Sequence, residues 1–194
     1  MLVYVDDIIV TRDDLEEQKQ LKENQSKAFE IKDLGVLRYF LGIEVAYSKA
    51  EIFLSQRKHI LDLLNETRLL GGKGAGTPIE SNVKLEENSN YLPVDKGRYQ
   101  RLVGRLVYLS HIKPDIGFTV SLVSQFMHCP TKEHIQTVRR ILCYLKTTPD
   151  KGILFRPRNK LDVIGYTDAN YGGFLIDRRS ITSYYVFLGG NLVS

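Results

Sequence analysis

Cysteine is nearly missing: the 194 residues hold two, Cys129 and Cys143. Two cysteines make no disulfide framework, and the expectation is buried structural thiols in a reducing compartment. With His128 and His134 they suggest a zinc set, but the spacing matches no standard ligand pattern. Long hydrophobic runs are missing too. The longest uncharged one, Ile116 to Thr131, is shorter than the roughly 20 apolar residues of a membrane span and is interrupted by Ser, Thr and Gln. No basic region opens the chain, which turns acidic at Asp6, so no signal peptide is expected. Repeats and low-complexity segments are absent, and neither charge sign dominates. The net charge of +4 and pI near 9.0 suit a polyanionic partner without demanding one. These absences leave a soluble, intracellular protein, with length for one or two domains.

What is present begins with Leu2 to Thr11, two β-branched runs around the pair Asp6-Asp7. The runs predict two strands, and the acidic pair predicts the tight turn between them. Like charges about 4 Å apart at an effective dielectric near 20 repel by on the order of 4 kcal/mol. A hard divalent cation with oxygen ligands, Mg²⁺ above all, relieves that repulsion. Asp-Asp is also ordinary turn chemistry.

Asp13 and Asp14 can cap a helix to about Phe29, with Leu15, Leu21, Ala28 and Phe29 as a thin apolar stripe. Asp33-Leu34-Gly35 predicts a turn. A second hairpin is expected from Leu37–Tyr47 and Ile52–Ser55, then a helix over Gln56–Leu70 with Ile60, Leu63, Leu64 and Leu69 inward. Four glycines between Gly71 and Gly76 predict a break. Lys96–Ile112 is expected to bury Tyr99, Leu102, Val103, Leu106 and Val107. Arg98, Arg101 and Arg105 line an adjacent face, either a solvated surface or a track for a phosphate backbone. Pro114 opens a second helix, with Ile116, Val120, Val123 and Met127 as core. Thr131 caps a third, with Ile135, Val138, Ile141, Leu142 and Leu145 inward and Arg139 and Arg140 outward. Beyond it the pattern switches to strands: Ile153–Phe155, Leu161–Tyr166 and Tyr184–Leu188, then a short last one after Gly189-Gly190. Asp168, just past the second of these, is either a turn-former or a metal ligand.

In order along the chain, these pieces resemble the Pol polyprotein of Ty1/copia-type retrotransposons. Tyr4-Val5-Asp6-Asp7 resembles the catalytic palm hairpin of a reverse transcriptase. Lys32-Asp33-Leu34-Gly35 and Tyr39-Phe40-Leu41-Gly42-Ile43-Glu44-Val45 resemble the next palm segments, the latter including the loop that grips the primer strand. Phe53-Leu54-Ser55-Gln56-Arg57-Lys58 is similar to the family's entry into its thumb. Tyr99 through Leu109, Pro114-Asp115-Ile116, Ser124-Gln125-Phe126-Met127 and Tyr144-Leu145-Lys146 resemble thumb and connection helices. Gly165-Tyr166-Thr167-Asp168-Ala169, Asp177-Arg178-Arg179-Ser180 and Phe187-Leu188-Gly189-Gly190 resemble the opening of a ribonuclease H domain.

The resemblance implies an α+β fold: a partial palm and the start of the thumb (1–70), a glycine-rich polar linker (71–95), helical thumb and connection (96–150), and an incomplete ribonuclease H-like sheet (151–194). It implies RNA-directed DNA polymerase chemistry on two Mg²⁺ ions, with Asp6 and Asp7 as ligands and Asp168 as ligand of a second, hydrolytic site. Tyr4, Phe40, Leu41, Gly42, Arg98, Arg101 and Arg105 would bind nucleic acid: an RNA template, an RNA–DNA hybrid or a DNA primer. No membrane partner is implied. A cytoplasmic or nuclear setting is.

Departures from the family pattern carry expectations of their own. The third palm aspartate and the later ribonuclease H carboxylates have no counterpart in these residues. Arg12 stands where a glycine is usual, and Asn170 and Tyr171 replace Asp and Trp. The chain is therefore expected to be a fragment, inactive alone, whose further partner is the missing palm and fingers segment. The alternatives are a non-catalytic nucleic-acid-binding remnant and a translated fragment without selected function.

Overall fold

Four helices bury one another because their apolar positions recur at three- and four-residue offsets. The computed structural model describes residues 2–5, 7–11, 14–81, 83, 85, 94–170 and 181–194. The protein is α+β, as expected, and divides into two compact units, Met1–Phe40 and Leu41–Ser194.

In the first unit, β1 (Leu2–Tyr4) and β2 (Asp7–Ile9) form an antiparallel hairpin, followed by α1 (Leu15–Ala28) and the two-residue β3 (Tyr39–Phe40). Asp14 caps α1, accepting the N–H groups of Glu16 and Glu17 at 2.9 and 3.1 Å; Asp13 lies outside the described residues. The expected α1 stripe does not pack. No residue of the helix is buried, Leu15 and Phe29 are exposed, and Leu21 is half-buried. Spacings of six and seven residues between Leu15, Leu21 and Ala28 are too sparse to make a continuous face. The turn at Asp33 does form: its carboxylate accepts from the Gly35 N–H and from Lys22, both at 2.8 Å.

The second unit opens with β4 (Ile43–Tyr47) and β5 (Ile52–Ser55), antiparallel as expected. The predicted strand over 37–47 is broken at Leu41 and Gly42, which both take positive φ, 49° and 80°. Then come α2 (Arg57–Glu66), α3 (Lys96–Ser110), a 3₁₀ turn (Pro114–Ile116), α4 (Gly117–Ser124) and α5 (Lys132–Thr147). Helix α2 is shorter than predicted. Thr67 bonds back to the Leu63 carbonyl at 2.8 Å, and Arg68 turns the chain at φ 57°.

Ile60, Leu63, Leu64 and Leu69 share one core with Tyr99, Leu102, Val103, Leu106 and Leu109 of α3, Ile116, Val120 and Val123, and Val138, Ile141, Leu142 and Leu145 of α5. Three positions differ from expectation, one of them Met127, which is only partly buried against this core. Leu109 is buried where Val107 was predicted, because the α3 face centres between Leu102 and Val103. Ile135 is only partly buried, and its place is taken by His134 and Thr137. The core does not stop at the glycine-rich stretch. That stretch straps onto α5: the Ala75 N–H donates to the Cys143 carbonyl at 3.1 Å, and Lys146 to the Gly72 carbonyl. Gly74 permits the approach, since a Cβ there would overlap the Thr147 methyl.

After α5, β6 (Ile153–Phe155) returns to pair with β5 across about a hundred residues of sequence. The order of this sheet in the second unit is β4-β5-β6. A second antiparallel sheet has the order β7 (Val163–Asn170), β8 (Ile181–Leu188), β9 (Asn191–Leu192). Asn191 rivets it to the end of β6, accepting the Arg156 N–H at 2.7 Å and donating to the Arg156 carbonyl at 2.8 Å. Among the described residues, no helix is long and apolar enough to cross a membrane.

Candidate metal and nucleic-acid-binding residues

The hairpin turn is displaced by one residue from the predicted one. Leu2 pairs with Ile9, Val3 with Ile8 and Tyr4 with Asp7, so Asp7 opens β2 rather than sitting in the turn. Matching apolar residues across the ladder fix that register, and Val5 bends the chain at φ 50°. Asp7 is exposed. Asp6 and Arg12 lie outside the described residues. Tyr4 and Phe40 meet edge to face, ring centroids 6.4 Å apart, so two predicted contact residues adjoin at this end of the hairpin.

Leu41 is held from α3, where the Tyr108 hydroxyl donates to its carbonyl. The Tyr108 ring makes T-shaped contacts with His59 of α2 and with His111, ring centroids 5.8 and 6.3 Å apart. Burial, then the Arg105 cation, hold the His59 pKa below its ordinary value, against the opposing pull of Asp62. Sequence reading missed this cluster. Its one signal is a histidine and a tyrosine on two segments predicted to be helical.

The arginine row lies on α3, but two of its members are engaged. Arg101 sits 3.7 Å from Glu66, and Arg105 pairs with the other oxygen of the same carboxylate. Arg98, in the first turn, is exposed, and its backbone N–H meets the capping carboxylate of Asp95 at 3.0 Å. Arg139 is exposed as expected, whereas Arg140 is half-buried and pairs with Glu80 and Thr77 of the strap.

Asp168 was expected just past its strand. It lies inside β7, exposed and opposite Ser183, because the ladder runs on to Asn170. Tyr171 and Asp177 to Ser180 lie outside the described residues. The zinc reading gains nothing. His134 stacks on Phe126 at 3.9 Å and accepts the Thr131 N–H at 3.0 Å as part of the α5 cap. Cys129 is exposed and Cys143 half-buried, and no group of three metal-ligating side chains occurs among the described residues.

These features define an α+β protein with an exposed aspartate hairpin and a basic helical face. Residues 1–81 match the reverse transcriptase (RNA-dependent DNA polymerase) family. Over its full length the chain is 42% identical to the retrovirus-related Pol polyprotein from transposon RE1 of Arabidopsis thaliana, covering 13% of that protein. It is 32% identical to the corresponding polyprotein from transposon TNT 1-94 of Nicotiana tabacum, covering 15% of it. It is also 34% identical to an uncharacterized mitochondrial protein of Arabidopsis thaliana, of which it spans 80%. No solved structure matches the chain. The chain belongs to the Pol polyprotein family of Ty1/copia-type retrotransposons and carries a reverse-transcriptase-like domain.

Proposed function

We propose that this chain supplies the metal-binding hairpin, thumb and first ribonuclease H strands of an RNA-directed DNA polymerase. The observation that carries the reading is the hairpin register within residues 1–81, with Asp7 opposite Tyr4 at the exposed end of the ladder. Oxygen donors there suit a hard cation such as Mg²⁺, which is held by one or two carboxylates plus substrate phosphates. Asp6 and Asp7 would hold it; when bound, it supplies primer hydroxyl activation and stabilises the pyrophosphate leaving group. Tyr4 and Phe40 line the approach to the hairpin. Leu41 and Gly42 present backbone at positive φ, which suits close contact with a primer strand. Residues 1–70, 71–95, 96–150 and 151–194 then correspond to palm and thumb entry, linker, thumb and connection, and ribonuclease H start, with Asp168 a ligand of the second site. The partners are an RNA template, an RNA–DNA hybrid or DNA primer, and the remaining palm and fingers of the polyprotein.

Alone, the 194-residue chain should extend no primer on an RNA template with Mg²⁺ and all four nucleotides, because two palm carboxylates do not complete the site. Extension abolished by Asp6→Asn would refute this.

Nucleic-acid binding is tested separately. Replacing Arg98, Arg101 and Arg105 by glutamine should flatten the plot of log affinity for an RNA–DNA hybrid against log salt by about two to three units, at roughly 0.9 per contact. Equal flattening by Arg139→Gln with Arg140→Gln would assign the effect to net charge. No salt-dependent binding by the unmodified chain would leave a fragment without nucleic-acid function.

A further inference from the structure

Residues 151–160 carry Lys151, Arg156, Arg158 and Lys160 and no acidic residue. From Arg156 onward this segment leaves β6 and reaches β7 as an exposed strap fixed at both ends. At one end Arg156 exchanges two hydrogen bonds with the Asn191 side chain. At the other the Asp162 carbonyl accepts the Gly189 N–H at 2.8 Å. Between these anchors the strap bows over the Gly189-Gly190 turn, leaving an open cleft of about 520 Å³ lined by residues including Pro157, Arg158, Lys160 and Asp162.

The turn is shaped for that overlay. Gly189 and Gly190 take φ of 54° and 75°. A Cβ on Gly189 would come within 2.9 Å of the Lys160 carbonyl, while the Arg158 guanidinium nitrogens lie 3.9 Å from where a Cβ on Gly190 would sit. Glu51 takes up the neighbouring Arg156 at 2.6 Å. Among the described residues, Arg158 and Lys160 have no ion-pair partner. Pro157 restricts the strap's φ at its start. Two cations without an ion-pair partner among the described residues therefore line a concave site whose backbone is anchored at both ends, the arrangement that favours an oxyanion.

We infer that this cleft binds a phosphate oxyanion, namely a backbone phosphodiester of an RNA–DNA hybrid, through Arg158 and Lys160. The inference rests on the nucleic-acid reading of function but places a contact on residues other than the α3 arginines. Asp162 opposes the anion and limits its affinity.

The test uses the full 194-residue chain. Amide NMR signals of Gly189 and Gly190 are followed while inorganic phosphate and, separately, a short RNA–DNA hybrid are added, and hybrid affinity is measured against salt. The hybrid should shift both glycine signals. The double variant Arg158→Ala/Lys160→Ala should abolish the shifts, weaken binding about tenfold and flatten the salt slope by about one to two units. Asp162→Asn should tighten binding, and Arg139→Gln should leave the glycine shifts unchanged.

If the hybrid binds with the double variant unaffected and the glycine signals still, the inference is overturned and the α3 reading of binding survives. Shifts with inorganic phosphate alone also overturn it, making the cleft a free-phosphate site. If the chain binds no hybrid at all, the functional reading falls with it. Circular dichroism of the double variant separates loss of contact from loss of fold.

Discussion

Gly152→Ala should cost about 3 kcal/mol of unfolding free energy or detach β6 from β5. Gly152 immediately precedes β6, and a Cβ there would overlap the Leu54 carbonyl oxygen and lie 3.0 Å from both the Leu54 carbonyl carbon and the Phe53 ring. Leu54 is paired with Ile153, so its backbone is fixed by the ladder it would have to leave. Inserted methyl groups cost roughly 1–3 kcal/mol where neighbours can adjust, and occasionally more. Here the main obstacle is backbone. Gly104→Ala is the matched control: in the exposed middle of α3, its added Cβ meets nothing within 4 Å. That change should stabilise by about 0.5–1 kcal/mol. Denaturant unfolding of both variants, with hydrogen exchange at the β5–β6 amides, checks the pair. Equal stabilisation by both would mean that β6 does not pack against β5 in this way.

Tyr99→Ala should cost about 3–5 kcal/mol, and Tyr99→Phe only about 1 kcal/mol. The Tyr99 ring is fully buried among α3, α4 and α5, and its hydroxyl donates to the Val123 carbonyl at 2.7 Å. The Val123 carbonyl also accepts from the Phe126 N–H at 3.3 Å, so losing the hydroxyl does not strand it. The large term is therefore the cavity, and against a typical total of about 5–15 kcal/mol it is severe. Burial also raises the Tyr99 pKa well above its ordinary 10.0. A raised folded pKa means that the unfolded chain gives up this proton first, so stability is intact below pH 10.0 and falls as pH rises further. Urea titrations at neutral and alkaline pH test both points. Tyr99→Phe should remove part of the alkaline loss, whereas comparable costs for the Ala and Phe variants would refute the cavity account.

Local rules made much of this chain legible. Helical offsets in 96–147 identify most of the core because each helix pays its burial on one face, and period alone locates that face. Asp14 as cap and Asp33-Leu34-Gly35 as turn are equally local, since a side-chain oxygen two or three residues from an N–H needs no tertiary partner. Tyr4-Val5-Asp6-Asp7 marked the hairpin and, with the motifs after it, the family.

Tertiary structure decided the rest, where pairing or charge depends on residues far apart in sequence. Asp7 lies in a strand because cross-strand apolar matching set the register, whereas the acidic pair alone suggested a turn. Arg101 and Arg105 share Glu66, which helical spacing within α3 cannot disclose. The glycines at 71–76 look like a break in sequence, yet they allow a strap to lie on α5, because close approach and flexibility both require a missing side chain. Ile153–Phe155 reads as one more strand near the end of the chain. Only the return to β5 shows which sheet it joins, because backbone hydrogen bonds say nothing in sequence about their distant partner.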